Sequence, residues 1–402
     1  MRVRVQWLQR IKNKMADIKA LDKQYVAGTY GRFDIEIVSG KGSRVFDNEG
    51  KEYIDLSTGI AVNTFGIADD EWKSAIAAQL DKFQHTSNLY YSAPCARLAE
   101  LLCTKTGAKK VFFGNSGAEA NECAIKVARK WAQDTKGEGE YNIITLKNSF
   151  HGRTVTTLMA TGQDVFHKDF GPFPGGFLYA DPNSTESVIE LVKNNRCCAI
   201  LMEPVQGEGG VMPLTKDFVT EVAKIARENN LLLMFDEVQT GNGRCGTLYA
   251  YQQFGVTPDV VTTAKGLGGG LPIGACLMFE KVESTLGAGS HGSTFGGNPI
   301  AAAGAVSIIS RIDEDLLSGV RERSEYIFKE LDGAKGIKSV SGMGLMIGIE
   351  TERDVNEVLA ECIQAGILPI KAKSKLRLLP ALNIPMCDLK TAIEIIKAVA
   401  AK

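Results

Sequence analysis

The sequence predicts an α/β fold, with a large domain built on a mostly parallel sheet flanked by helices and a smaller α+β domain formed by the two ends of the chain. Three observations predict it. Unbroken apolar runs such as Leu231–Phe235 and Val260–Thr262 read as strands buried on both faces. Between residues 105 and 265 such runs alternate with helical patterns, which implies parallel pairing through right-handed crossovers. On either side of that region, short strands joined by glycine-bearing turns mix with helices, as at Asp47-Asn-Glu-Gly50. The expected boundaries are 15–60 for the N-terminal part of the small domain, 61–297 for the large domain and 298–402 for the C-terminal part.

Composition narrows the function. The 402 residues carry a formal charge of -1 with no basic stripe, which argues against a nucleic-acid partner. Nine cysteines show no C-x-x-C spacing, so neither a zinc cluster nor a disulfide framework is expected, and a reduced cytoplasmic setting is. No apolar run approaches the length of a membrane span. Residues 1–14 hold Arg2, Arg4, Arg10, Lys12 and Lys14 without an acid. They lack the Ser and Thr of a transit peptide and are expected as a disordered extension, with Met15 an alternative start.

The elements follow in order. A glycine-punctuated loop, Gly28–Phe33, carries Tyr30 and Arg32; then come short strands at Ile35–Val38, Arg44–Asp47 and Lys51–Leu56, and a loop over Ser57–Asn63. Trp72, Ile76, Leu80 and Phe83 fall on one face of a helix over 69–83, and a second helix covers Ala93–Thr104. The strand Val111–Phe113 runs through a Gly-Asn-Ser-Gly turn into a helix reaching Trp131. That arrangement points free backbone N–H groups and the Ser116 hydroxyl at an anion, although a serine N-cap on an ordinary turn would look the same. It is not a nucleophile elbow, because Ala118 replaces the last glycine, and neither a P-loop nor a helix-opening G-x-G-x-x-G occurs.

After the strand Asn142–Leu146, Phe150 could stack on a flat ring and Arg153 could grip a carboxylate. The strand Cys198–Met202 ends in Glu203 and Glu208. Beyond Asn298, helices at Ile300–Ile312 and Leu316–Leu331 precede strands at Ile337–Val340 and Leu345–Ile349. A helix at Val355–Gln364, strands at Gly366–Ile370 and Lys375–Leu379, and a helix from Cys387 complete the chain.

The chemistry centres on Asp236 and Lys265, each at a strand's carboxyl end, where open α/β sheets bind ligands. Most lysines are solvated. One that is partly buried loses its proton more readily and attacks carbonyl compounds, and an acid facing it suits a protonated pyridine nitrogen, as in a pyridoxal phosphate site.

Nine motifs then carry a resemblance running from Tyr30 to the C-terminus: TYGRF, STGIAVN, HTSNLYY, NSGAEANE, SFHGRT, EPVQGEGG, DEVQTGNGR, AKGLGGGLPIGA and GSTFGGNP. In this order they resemble the class III, ornithine-type, pyridoxal-phosphate aminotransferases. The resemblance implies a fold type I transferase with pyridoxal 5'-phosphate as cofactor. It makes Lys265 the Schiff-base lysine and Asp236 the partner of the ring nitrogen. Ser116, Gly117 and Ala118 fall at the phosphate, Phe150 against the ring and Gln239 near its hydroxyl, with Val238 also among the cofactor-binding residues. Thr294 is implied to reach the neighbouring subunit's phosphate, so a homodimer with shared sites is expected. At the substrate the resemblance places Tyr30, Ser293, Arg153 for the remote carboxylate, Arg377 for the α-carboxylate of glutamate, and Glu208 as a gate on Arg377.

The favoured reaction moves the δ-amine of N2-acetylornithine to 2-oxoglutarate, giving N-acetylglutamate 5-semialdehyde and glutamate, as in arginine biosynthesis. Ornithine, succinylornithine and 4-aminobutyrate are rival donors, and an aminomutase or decarboxylase is the rival reaction class. A cofactor-less binding protein runs against the intact lysine, aspartate and phosphate loop. The pattern is broken where Gly66-Ile-Ala-Asp-Asp70 lacks two histidines, at Asp34 in place of proline, and at Cys245 in place of threonine.

Overall fold

A computed structural model of the chain describes residues 17–402, and the basic segment expected at 1–14 lies outside the described residues. Near the N-terminus β1 (Ile37–Lys41), β2 (Arg44–Asp47) and β3 (Glu52–Asp55) form an antiparallel meander. Next come β4 (Lys110–Gly114), β5 (Asn142–Leu146), β6 (Phe177–Ala180) and β7 (Cys197–Met202). A small hairpin, β8 (Val205–Gln206) with β9 (Met212–Pro213), precedes β10 (Leu232–Asp236), β11 (Val260–Thr263) and β12 (Gly274–Met278). The large sheet has the order β4-β12-β11-β10-β7-β5-β6; β12 runs antiparallel to both neighbours and the remaining pairs are parallel.

Both faces of this sheet are covered, which is why its central strands are apolar throughout. Successive residues of β10 alternate between the two cores, as a strand's period of two requires. Leu232 and Met234 pack with Val127 and Trp131 of the helix Gly117–Lys136, while Leu233 and Phe235 pack with Phe218 and Val222 of the helix Lys216–Glu228.

A separate core joins the chain ends. β13 (Ile337–Met343), β14 (Met346–Thr351), β16 (Ile370–Ala372) and β17 (Lys375–Leu378) form a sheet in the order β13-β14-β17-β16, while β15 (Ile367–Leu368) pairs in parallel with β3. Ile54 and Leu56 thereby share a core with Ile347, Ile349, Leu376 and Ile393.

Two strands carried no legible signal. β12 (GACLM) has no β-branched residue and follows a glycine-proline run; β6 (FLYA) is four residues long after Gly-Pro-Phe-Pro-Gly-Gly. Neighbouring strands determine both. The segment expected as a loop, Ser57–Asn63, contains a turn in which Thr58, Gly59, Ile60 and Ala61 all have positive φ. Among the described residues no helix is long and apolar enough to cross a membrane.

Candidate active site

Asp236 closes β10 and pairs in register with Thr262 of β11, so Lys265 emerges three residues past the strand pair that carries the acid. The Lys265 backbone is left-handed, at φ 47, a conformation that persists only when its surroundings enforce it. Asn242 Nδ2 does so by donating to Thr263 Oγ1 at 2.9 Å and Ala264 O at 3.1 Å, and Thr64 Oγ1 donates to Gly266 O at 2.7 Å. A cavity of about 430 Å³ opens at this point, lined by Ser116, Gly117, Ala118, Phe150, Arg153, Asp236, Val238, Gln239 and Lys265.

Asp236 is buried and accepts three hydrogen bonds. Asn121 Nδ2 donates to Oδ2 at 2.7 Å, His151 Nδ1 approaches the same oxygen at 2.8 Å, and the Val238 N–H donates to Oδ1 at 3.0 Å. Asn121 is itself oriented by Thr262 Oγ1, which donates to its Oδ1 at 2.7 Å. The carboxylate acceptor places a proton on His151 Nδ1; Nε2 is buried without a partner. Sequence reasoning gave Asn121 and His151 no role. Both lie inside motifs it used, and Asn121 falls five residues beyond Ser116 on the same helix.

Burial lowers the Lys265 pKa, with Glu208 pulling it back up and Arg377 adding to the depression. Burial also pushes the Glu203 carboxyl up to about 7, against the opposing field of His151 and with help from Asp236. Glu203 accepts from the N–H groups of Phe150 and Gly207, at 2.9 and 3.3 Å, and so fixes the two loops that flank the cavity.

At the start of the helix Gly117–Lys136, Ser116 is the N-cap: its Oγ accepts from the Glu119 N–H at 3.2 Å, and Glu119 Oε2 accepts in return from the Asn115 N–H at 2.9 Å. The N–H groups of Gly117 and Ala118 keep the open valence of a first helical turn, and both residues face the cavity. A Cβ at Gly117 would lie 2.6 Å from Val238 Cγ1, so only glycine allows this approach of helix to strand end. Phe150 stands edge-on to Phe166 at 5.9 Å, and the Arg153 guanidinium covers both rings, at 5.4 and 4.2 Å, without a carboxylate partner among the described residues. A buried amine, an oriented acid, a helix start with open N–H valence and an aromatic wall fit the needs of a flat, phosphorylated pyridine aldehyde.

Arg377 arrives on β17. Its Nη1 donates to Glu208 Oε1 at 2.7 Å and to Gln239 Oε1 at 3.1 Å, and its Nε is buried without a partner. Burial pushes the Glu208 carboxyl up, but the charge and hydrogen bond of Arg377, joined by Lys265 and Gln239, together outweigh it and the net direction is down. Gln239, expected near a ring hydroxyl, thus lines the cavity while its side-chain oxygen serves Arg377. Three expected residues stand apart from the cavity. Tyr30 is exposed beneath Arg32, Thr294 is exposed, and Ser293 Oγ accepts from Asn115 Nδ2 at 3.1 Å.

Comparison with known proteins agrees with this geometry. The sequence model of the family described as "Aminotransferase class-III" matches residues 25–400. An acetylornithine aminotransferase of Haemophilus ducreyi is 47% identical over 384 residues, covering 95% of this chain and 98% of its own. A succinylornithine transaminase of Citrobacter koseri is 43% identical over 367 residues, covering 89% and 90%. Among solved structures, an ornithine aminotransferase of Toxoplasma gondii with PLP partly occupying its active site superposes with a TM-score of 0.91 at 31% identity, over 96% of this chain and 94% of that one.

Proposed function

The chain belongs to the class-III aminotransferase family, and on that premise we propose that it transfers the δ-amine of N2-acetylornithine to 2-oxoglutarate. The observation that carries this reading is the Glu208–Arg377 pair beside the Lys265–Asp236 cavity. A transaminase of this kind must accept an ω-amine donor and glutamate in turn at one site. With Glu208 on Arg377 the cation is neutralised and the donor enters amine-first. With Glu208 displaced, Arg377 is free to bind an α-carboxylate bidentately.

As an aminotransferase of this family the enzyme uses pyridoxal 5'-phosphate, which when bound supplies an aldehyde and a ring that draws off the electrons of a C–H bond. The chain's own residues do the rest. Lys265 would hold the group covalently, and a depressed pKa favours its reactive free amine. With its amine free, Nζ would be placed to hold a proton taken from the substrate carbon as a general base and to give it back as a general acid. Asp236, held by Asn121 and His151, would keep a proton on the ring nitrogen. The first turn at Gly117 and Ala118, with Ser116, would take the phosphate, and Phe150 and Val238 the ring faces. Arg153 would bind the carboxylate remote from the reacting amine; among the described residues its guanidinium lies over aromatic faces and forms no ion pair.

A cytoplasmic homodimer completes the proposal. The nine cysteines are free thiols; Leu89, Tyr90, Tyr91 and Phe295 are exposed apolar side chains, and Leu89 lines a cavity with Ser293 and Thr294. In that assembly Thr294, Ser293 and Tyr30 would serve the adjacent subunit. The test is a panel of acetylornithine, succinylornithine, ornithine and 4-aminobutyrate with 2-oxoglutarate; a higher kcat/KM for any donor other than acetylornithine would displace the substrate assignment. Replacing Glu208 by alanine should raise the preference for glutamate over the ω-amine about tenfold or more, the effect of a lost charge-assisted contact.

A further inference from the structure

Glu208 stands in the turn of the β8–β9 hairpin, just beyond the closing rung Gln206↔Met212. That turn is strained. Gly210 has φ 106, and Val211 is left-handed at φ 54, a conformation foreign to a β-branched residue unless something enforces it. The enforcing contacts come from the small domain. Ser341, Gly348 and Arg377 lie side by side across β13, β14 and β17, so their side chains share one face of that sheet. Lys375, two residues before Arg377, shares it too.

On this face Ser341 Oγ donates to Val211 O at 2.8 Å and accepts from Lys375 Nζ at 2.7 Å. The same ammonium lies 3.4 Å from Met212 Sδ. Gly348 makes room for the approach, since a Cβ there would sit 2.8 Å from Val211 Cβ. Lys375 is only 9% exposed, yet among the described residues it forms no ion pair. Burying an amine without a carboxylate is costly, and both its polar contacts bear on the hairpin.

We propose that Ser341 and Lys375 are positioning residues that clamp the turn carrying Glu208, and so set which of the two substrates Arg377 accepts. The selective role rests on the gate reading of Glu208. The clamp holds the turn at its Val211–Met212 end while leaving the partly exposed Glu208 side chain free to swing from Arg377.

The test uses the holoenzyme and single-turnover half-reactions with acetylornithine and with glutamate. Ser341→Ala is expected to lower kcat/KM for acetylornithine about fivefold, the worth of one hydrogen bond, through KM, while the glutamate half-reaction is unchanged. Ser341→Thr, which keeps the hydroxyl, restores it. Amide exchange over residues 207–212 speeds up in Ser341→Ala and in Lys375→Met. Wild-type exchange in both variants overturns the clamp. Faster exchange with an unchanged substrate ratio, where Glu208→Ala does shift that ratio, overturns its role in selection. An unshifted ratio in Glu208→Ala overturns the gate itself, and the selective role with it, whatever the exchange shows.

Discussion

Asp236 takes its orientation from three donors at 2.7 to 3.0 Å, and Lys265 from a backbone turn pinned by Asn242 and Thr64. Two side chains brought to one cavity in fixed poses are worth more than the same two on mobile loops, because the entropy of alignment is already lost. Lys265→Ala is therefore expected to cut transamination by about 10² to 10⁴-fold, the span of a lost general base, and borohydride treatment should no longer fix the cofactor to the chain. Next door, Glu237 is fully buried, accepting from Thr240 Oγ1 and the Tyr251 N–H, and burial pushes its carboxyl up to about 7. The sign follows: a folded pKa above the unfolded one means the folded state binds the extra proton between about 4.5 and 7, so stability is fully present below that window and lost as pH rises through it. Glu237→Gln should remove this dependence. Thermal midpoints of the two proteins should diverge in the variant's favour between pH 5 and 8, and parallel curves would contradict the burial argument.

At the scale of elements, the site is a property of termini. β10 and β11 end together, and the helix Gly117–Lys136 begins with Gly117 and Ala118 lining the same cavity. Gly117 sets how near that helix start comes to Val238. Gly117→Ala forces a shift of several tenths of an ångström in a packed wall, a strain of about 1–3 kcal/mol. The expected result is cofactor affinity weakened about tenfold or more in equilibrium dialysis, with secondary structure unchanged by circular dichroism. An alanine variant that binds as tightly as the parent would mean that the helix end is not the phosphate site.

Over the whole molecule, the sheet that carries β17 is part of the site. Arg244 is buried and donates through Nη1 to Leu345 O at 3.1 Å and Pro380 O at 2.5 Å; Thr58 Oγ1 donates to Leu379 O at 2.6 Å, and the Leu382 N–H to Thr64 O at 2.9 Å. These bonds carry Arg377 into range of Glu208. The proposed dimer with shared sites has a complementation test. Lys265→Ala and Thr294→Ala homodimers should each be impaired, while subunits exchanged between them should form hybrids in which one site has both native residues. Recovery approaching about one quarter of native activity is the ceiling for random mixing in a closed twofold dimer; no recovery would place Thr294 outside the partner's site.

The placement of Lys265 and Asp236 was legible in the sequence because a strand buried on both faces is written as an apolar run, and a charge that ends such a run must lie at the sheet's rim. The Ser116–Gly117 turn was legible for a similar local reason: an N-cap and a close approach each demand particular residues. The collar of Asn121 and His151 on Asp236 was not, since side chains 115 and 85 residues away in sequence meet only when the sheet order is set. Nor was the antiparallel β12, whose residues have no strand preference of their own, or the clamp of Ser341 and Lys375 on Val211. Local chemistry determined which residues end strands and begin helices. Only tertiary packing brings Arg377 to Glu208 across 169 positions of chain, a meeting that the sequence carried through family resemblance alone, because such a contact depends on long-range burial and leaves no periodic trace in the sequence.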